Sequence, residues 1–232
     1  MSTTFDVLIL TCEHGGNEVP AAYASLFRSE ANVLATHRGW DIGALVIARG
    51  LAKSLQAPLH YSTTTRLLVD LNRSLHVKGV WSDWSKRLDS AAKDMVIECY
   101  YRPYRSSVEK HLTQLVTQGK RVLHLSIHSF TPVFSGKTRN ADVGILYDPK
   151  RAFEAQLARV LFASVRAADD SLRVRRNYPY VGYTDGFTTY LRRKLPEARY
   201  AGIEIETKQD QIMTPAGLRR LIDIYTRAIQ SL

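Results

Sequence analysis

The sequence predicts an α/β protein with a largely parallel sheet. Three observations carry that expectation. Apolar runs of strand length, Phe5 to Thr11, Val122 to Ile127 and Ala201 to Glu206, alternate with stretches of helical apolar spacing. Two of the runs stop at a histidine, His14 after the first and His128 after the second. The first also ends in a glycine-rich turn, Gly15-Gly16, and such strand ends are where open α/β sheets place their chemistry.

Taken in order, the first strand is followed by Pro20, suited to the first turn of a helix, and a short helix-prone segment from Ala21 to Phe27. The polar stretch Thr36 to Asp41 leads into apolar residues at helical spacing, Ile42, Leu45, Val46, Ala48, Leu51 and Leu55. Asp41 stands where an N-cap would stand. Leu59 to Ser62 and Leu67 to Leu71 read as short strands, and Val77 to Asp89 as a polar loop with two tryptophans. Ala91 to Thr117 reads as one long helix, interrupted or restarted near Pro103. After the strand at Val122 come a strand over Asp142 to Tyr147 and a helix from about Pro149 to Ala168. Asn177 to Gly186 is an aromatic loop, Gly186 to Lys194 a helix, Ala201 to Glu206 the last strand and Pro215 to Leu232 the last helix.

At 232 residues the chain exceeds the usual ~150 residues of a domain but fits one large α/β domain, 1–232. No run of ~18 apolar residues and no charged-then-apolar N-terminal leader is present, so no membrane span or signal peptide is expected. Two cysteines, Cys12 and Cys99, make no disulfide framework, and a reducing, cytoplasmic setting is expected. The net charge of +10 is scattered rather than gathered into an arm, finger or RNP-like motif. A solvated surface ranks first, attraction of a small anionic substrate second, and nucleic acid last.

Two histidines at neighbouring strand ends would meet in one cleft, and a histidine pair plus a carboxylate is a Zn²⁺ set with a position left for water. Asp41 is the carboxylate chosen, with simple N-capping the equal alternative. His37, Glu13 and Glu18 are further candidates, although Glu13 and His14, being adjacent, should point to opposite faces. Glu204 and Glu206 share one face of the last strand. A carboxylate within an apolar strand is costly unless partnered, and Glu206 at the strand end suits a proton carrier. Arg66 and Arg73 in RLLVDLNR could hold a carboxylate with two parallel hydrogen bonds, or could pair with Asp70. The same holds for Arg102 and Arg105 in YYRPYRS. Asn177 and Tyr180 suggest a pocket-lining loop. No H-E-x-x-H, G-x-S-x-G, G-x-x-x-x-G-K-[ST] or G-x-G-x-x-G occurs, which sets aside zincins, serine hydrolases of the elbow type and nucleotide phosphate cradles.

These segments, TCEHGGNEVP, THRGWDIGA, TRLLVDLNRS, YYRPYRS, LSIHSFTPV, NYPYVGYTDGFTTYL and IEIETKQDQI, follow one another as in the N-formylglutamate amidohydrolase family, which the chain resembles over nearly its whole length. The resemblance implies a single phosphorylase/hydrolase-like domain similar to zinc carboxypeptidases and aspartoacylases, a mixed, mostly parallel sheet flanked by helices. It implies Zn²⁺ held by His14, Asp41 and His128, with Glu206 as general base. It also implies that Arg66, Asn72 and Arg73 hold the substrate carboxylate or the oxyanion, with Asn177 and Tyr180 lining the pocket. The expected reaction is hydrolysis of the amide of an N-acyl amino acid such as N-formylglutamate. The alternatives are a carboxypeptidase or amidase acting on peptide or cell-wall fragments, and a basic binding protein. Two departures from the commoner family pattern bear on the substrate: His-Gly-Gly-Asn replaces His-Ala-Ser-Asn, and Lys208 stands where an arginine is usual.

Overall fold

Apolar periodicity lays down the elements in a computed structural model that describes residues 4–232; the first three residues, part of the stretch read for a leader, lie outside the described residues. Strand β1 (Val7–Cys12) leads through a 3₁₀ segment (Ala21–Phe27) and a single helical turn, α1 (Ala31–Leu34), to α2 (Ala44–Leu55) and β2 (Leu59–Tyr61). A stretch of turns then reaches α3 (Ser90–Val96) and α4 (Arg102–Thr117). Next come β3 (Val122–Phe130), a small hairpin of β4 (Val133–Phe134) and β5 (Lys137–Thr138), β6 (Val143–Leu146), α5 (Ala152–Ala168) and β7 (Val174–Arg176). The chain closes with α6 (Phe187–Lys194), β8 (Tyr200–Lys208) and α7 (Pro215–Gln230).

The main sheet has the order β2-β1-β3-β8-β6-β7. Neighbours are parallel except β6 and β8, which are antiparallel, so the sheet is mixed and mostly parallel, as expected. Its two faces are set by the period-2 alternation of each strand. On one face Leu10, Cys12, Leu125, Ile127, Ile203 and Ile205 pack under α2, α5 and α7. On the other, Ile9, Val122 and Tyr200 pack with Val108 and Leu112 of α4 and Phe187 and Leu191 of α6. Among the described residues no helix is long and apolar enough to cross a membrane.

Several elements differ from the sequence expectation. Leu67–Leu71 is not a strand but a run of turns. Its leucines and Val69 are apolar because they fill a third core cluster with Phe27, Val80, Val96 and Tyr101. Side-chain bonds compete there with any ladder: Thr65 Oγ1 donates to the Gly39 carbonyl and accepts from the Leu67 N–H, and Asp70 Oδ1 accepts from the Asn72 N–H. The long helix does run from Ser90 to Thr117, but residues Ile97–Tyr101 form a π-turn. Pro103 lacks an N–H and crowds the carbonyl four residues back, Cys99, which lies inside that turn. The strand over 122–127 continues to Phe130, because Ser129 and Phe130 keep register with Thr207 and Lys208. The edge strand β7 escaped the reading because Arg175 and Arg176, both exposed, resemble a surface cluster; charged side chains are how sheet edges are guarded.

Candidate metal and active site

The parallel register puts His128 beside Glu206 and Ser126 beside Glu204, so these four side chains stand on one face. β1 ends one strand away, and the glycines after His14 let its turn close against the next segment. A Cβ on Gly16 would lie 2.6 Å from the Thr63 carbonyl oxygen, and one on Gly15 would lie 2.8 Å from that of Ser62. The Gly-Gly of this sequence is therefore a packing requirement of the β1 turn. Gly15 N–H bonds Ser62 O at 2.9 Å, and Asp41 N–H bonds His14 O at 3.0 Å, bringing the Asp41 segment beside His14.

The result is a compact cluster. Asp41 Oδ2 lies 2.8 Å from His128 Nδ1 and 3.4 Å from His14 Nδ1. One ligand atom from each of His14, Asp41 and His128 falls within 4.8 Å of the others, and all three residues are buried. Each ring is held from behind through its other nitrogen. His14 Nε2 donates to Asp70 Oδ1 at 2.8 Å. His128 Nε2 lies 2.9 Å from Ser126 Oγ and 3.3 Å from Glu13 Oε2. Carboxylates placed behind ligand imidazoles fix the ring and its tautomer, leaving Nδ1 to face the shared centre. Glu13 is itself 1% exposed and takes hydrogen bonds from Ser126 Oγ (2.6 Å) and Tyr104 OH (2.9 Å). Glu13 and His14 do diverge, as adjacent residues should, and they close on His128 from two sides.

The electrostatics favour positive charge at this centre. Burial works against charging His14 and so does Arg66, but Asp70 and Asp41 outweigh both and raise its pKa. Burial likewise opposes a charged His128, and its bonds to Asp41 and Glu13 override it. Burial would raise Asp41, yet the two rings and Arg66 hold it well below the usual carboxylate range. Asp41 is not an N-cap: Gly43 caps α2, and the Asp41 side chain is spent on His14, His128 and Arg66.

Glu206 behaves differently. It is 5% exposed, its Oε2 has no hydrogen-bond partner among the described residues, and burial first, with Asp41 and Glu204 adding, pushes its carboxyl up to about 8. Glu204 instead accepts from Thr188 Oγ1 at 2.6 Å through one oxygen, so of the pair Glu206 is the one with a buried oxygen left without a partner among the described residues.

A cavity of about 220 Å³ opens over the cluster. His14, Asp41, His128 and Glu206 form part of its wall, with Arg66, Asn72, Arg73 and Tyr180 among the others. Arg66 bridges Asp41 Oδ1 (3.1 Å) and Asp70 Oδ2 (2.7 Å), so it serves both carboxylates. Asn72 Oδ1 accepts from the Phe187 N–H, and Arg73 donates to the Asp185 carbonyl. Tyr180 OH accepts from Arg139 Nη2 at 3.0 Å. Asn177 does not border the cavity. Its backbone is left-handed (φ 48°), and its Oδ1 accepts from the Tyr147 and Gly182 N–H groups, so it pins the loop that presents Tyr180. His37 lines the cavity outside the His14–Asp41–His128 cluster; burial first, with the cations Arg139, Arg38 and Arg66, lowers its pKa. Glu18 is exposed and engaged by Thr63, and Lys208 pairs with Asp142 away from the cavity wall.

Sequence reasoning missed Asp70 and Glu13 as the groups behind the histidines. Asp70 had a signal, since an acid two residues from Asn72 can both turn the chain and reach inward. For Glu13 the signal was alternation: Thr11 and Glu13 share a strand face, and Thr11 pairs with Ser126.

The model of the family described as N-formylglutamate amidohydrolase matches residues 7–213. Among curated proteins no match is found. Among solved structures, a gene product of Agrobacterium tumefaciens is 31% identical with a TM-score of 0.81, over 97% of this chain and 90% of that one. The N-formylglutamate amidohydrolase of Ralstonia eutropha is 19% identical with a TM-score of 0.72, over 97% of this chain and 94% of that one. The N-acetylmuramoyl-L-alanine amidase of Clostridium difficile is 14% identical with a TM-score of 0.50, over 98% and 97%. The last two likenesses speak to the fold. With the family model matched across most of its length, the chain belongs to the N-formylglutamate amidohydrolase family.

Proposed function

We propose that the protein is a Zn²⁺-dependent amidohydrolase that cleaves the amide of a small N-acyl amino acid, N-formylglutamate being the first candidate. One observation carries the reading. Two buried imidazoles present Nδ1 to a shared carboxylate, each held through Nε2 by a further acid, beside a buried glutamate with an unpartnered oxygen. The donor set fits the metal: two nitrogens and one carboxylate oxygen form the three-ligand pattern of hydrolytic zinc, and the surrounding acids favour a cation. His14, Asp41 and His128 would hold the ion, which when bound supplies a Lewis acid and lowers the pKa of water.

The chain's own groups do the rest. Glu206 takes a proton from the attacking water and passes it to the leaving amine nitrogen, a role open to a buried carboxylate at the cavity wall whose Oε2 has no other partner among the described residues. Arg73 and the Asn72 amide, in the cavity wall, would donate to the substrate carboxylate, and Arg66 adds positive charge where an oxyanion would develop. Arg139 donates to the Tyr180 oxygen, which leaves the Tyr180 O–H to donate to substrate. Phe130, Leu146 and Val181 close the space.

Size favours a small substrate over a peptide. The cavity of about 220 Å³ is below the ~300–1,000 Å³ of sites for drug-sized ligands. The test is a substrate panel on zinc-loaded protein: N-formyl and N-acetyl amino acids against peptides and muropeptides. The reading expects turnover confined to the small acyl amino acids with acidic members preferred. Turnover of peptides alone would overturn the substrate assignment.

A further inference from the structure

The motif YYRPYRS builds a second cavity rather than part of the first. It has a volume of about 470 Å³ and lies between α4, α6 and the segment that follows Arg73. Arg105, 5% exposed, stands in its wall. The Arg105 guanidinium lies 4.9, 4.2 and 4.5 Å from the ring centroids of Tyr101, Phe187 and Tyr190. Nη1 donates to the Leu71 carbonyl at 2.9 Å and approaches that of Arg73 at 3.4 Å. Among the described residues, those carbonyls are its only hydrogen-bond partners, and no carboxylate pairs with it.

A buried guanidinium without a counter-charge is costly, and ring faces with two carbonyls offset only part of that cost. Nε and Nη2 of its planar fork have no hydrogen-bond partner among the described residues, and such a fork matches a carboxylate or phosphate. The rim adds charge of the same sign. Of the three cations at the opening, Arg102 pairs with Glu98 at 2.6 Å and Lys194 with Glu109 at 2.6 Å, Glu109 also taking the Tyr190 O–H at 2.7 Å, which leaves Arg193 without a carboxylate partner among the described residues. The Tyr190 ring and exposed Leu75 supply an apolar side. Among the residues lining the catalytic cavity are His14, Asp41, Glu206 and Arg73, and the two cavities share none of their lining residues.

We propose that this cavity is a binding site for an organic anion, whose carboxylate or phosphate is taken by Arg105 and whose body lies against Tyr190 and Leu75. The site is independent of the metal reading, since it uses none of the same side chains.

Titration calorimetry at fixed ionic strength tests it, with benzoate as the carboxylate probe and inorganic phosphate as the other. Saturable binding of either that Arg105→Lys weakens and Arg66→Ala does not upholds the site, and the probe that binds names the anion. Arg105→Lys keeps the charge but loses the fork, and each lost charge-assisted bond is expected to weaken binding roughly tenfold or more. If that variant does not fold, Arg193→Ser decides, with weakening of roughly two- to fivefold expected from one exposed charge. Arg66→Ala, in the other cavity, is expected to leave the binding unchanged. Failure of both probes to bind, binding that a folded Arg105→Lys leaves unchanged, or binding lost with Arg66→Ala and untouched by Arg193→Ser, overturns the proposal.

Discussion

Replacing Glu13 by glutamine keeps the shape of a side chain that never touches the cavity and removes its charge. The carboxylate accepts from Ser126 Oγ at 2.6 Å and Tyr104 OH at 2.9 Å, and faces His128 Nε2 at 3.3 Å. An amide offers one acceptor oxygen, and its NH₂ meets donors on the other side. A lost bond to a charged, buried group costs ~1.5–3 kcal/mol, partly recovered if a hydroxyl rotates, so a stability loss of ~1–3 kcal/mol is expected. For a domain of this size that is a fall in Tm of roughly 2–12 °C. Loosening the ring behind a ligand typically costs ~10–100-fold in metal affinity. The assay is competition for Zn²⁺ with a chromophoric chelator, paired with thermal melts of the metal-free and loaded forms. Glu18→Gln, the same change on an exposed side chain, serves as control and should alter neither. Zinc affinity within twofold of the parent for Glu13→Gln, at parent Tm, would refute the positioning role of Glu13.

Further outcomes follow from the same geometry. Glu206→Gln should cut kcat by ~10²–10⁴ with zinc content unchanged, whereas Glu204→Gln, already bonded to Thr188, should act mainly on stability; equal turnover by Glu206→Gln and the parent sinks the base assignment. The metal-free protein should melt lower as pH rises from about 6 to 9. His14 and His128 have raised pKa values, so their stabilising contribution is present below the ordinary 6.5 and lost as pH climbs through the folded values. Glu206, at about 8 from burial, keeps a proton that the unfolded chain has released, which gives the same sign. Zinc should flatten or reverse that slope, because ligand rings must be deprotonated to bind it. Leu125→Ala, fully buried between the sheet and its helices, should cost ~2–5 kcal/mol by chemical denaturation without changing zinc stoichiometry.

Much of the fold was legible because burial leaves a period in the sequence. β1, β3 and β8 are apolar on the face under α2, α5 and α7, and their period gives both strand and side. The polar residues on the opposite face, His124, Ser126 and His128 of β3, interrupt that pattern at every second position, so the strand that bears the candidate ligand His128 was visible. Local runs failed where tertiary packing supplied the apolar demand. Leu67 to Leu71 looks like a strand, but its apolar side chains serve a separate core while Thr65 and Asp70 bend the backbone. The ligand candidates were legible by type and strand position, and the groups behind them were not. Glu13, Asp70 and Tyr104 meet their partners across separations of 115, 56 and 91 residues, taking Glu13 with His128, Asp70 with His14 and Tyr104 with Glu13. No local pattern encodes such meetings. Arg105 was read as a candidate for holding the substrate, yet it lines the other cavity, since a helix motif does not state which side of a neighbouring turn it reaches.

The central claim is that His14, Asp41 and His128 bind one metal ion. Equilibrium zinc titration of the metal-free chain, read by elemental analysis after removal of free ion, tests it most directly. The account predicts about one zinc per chain for the parent and none for His14→Ala or His128→Ala that retain the parent far-UV spectrum. A folded parent that takes up no zinc, or variants that bind it as the parent does, would contradict it.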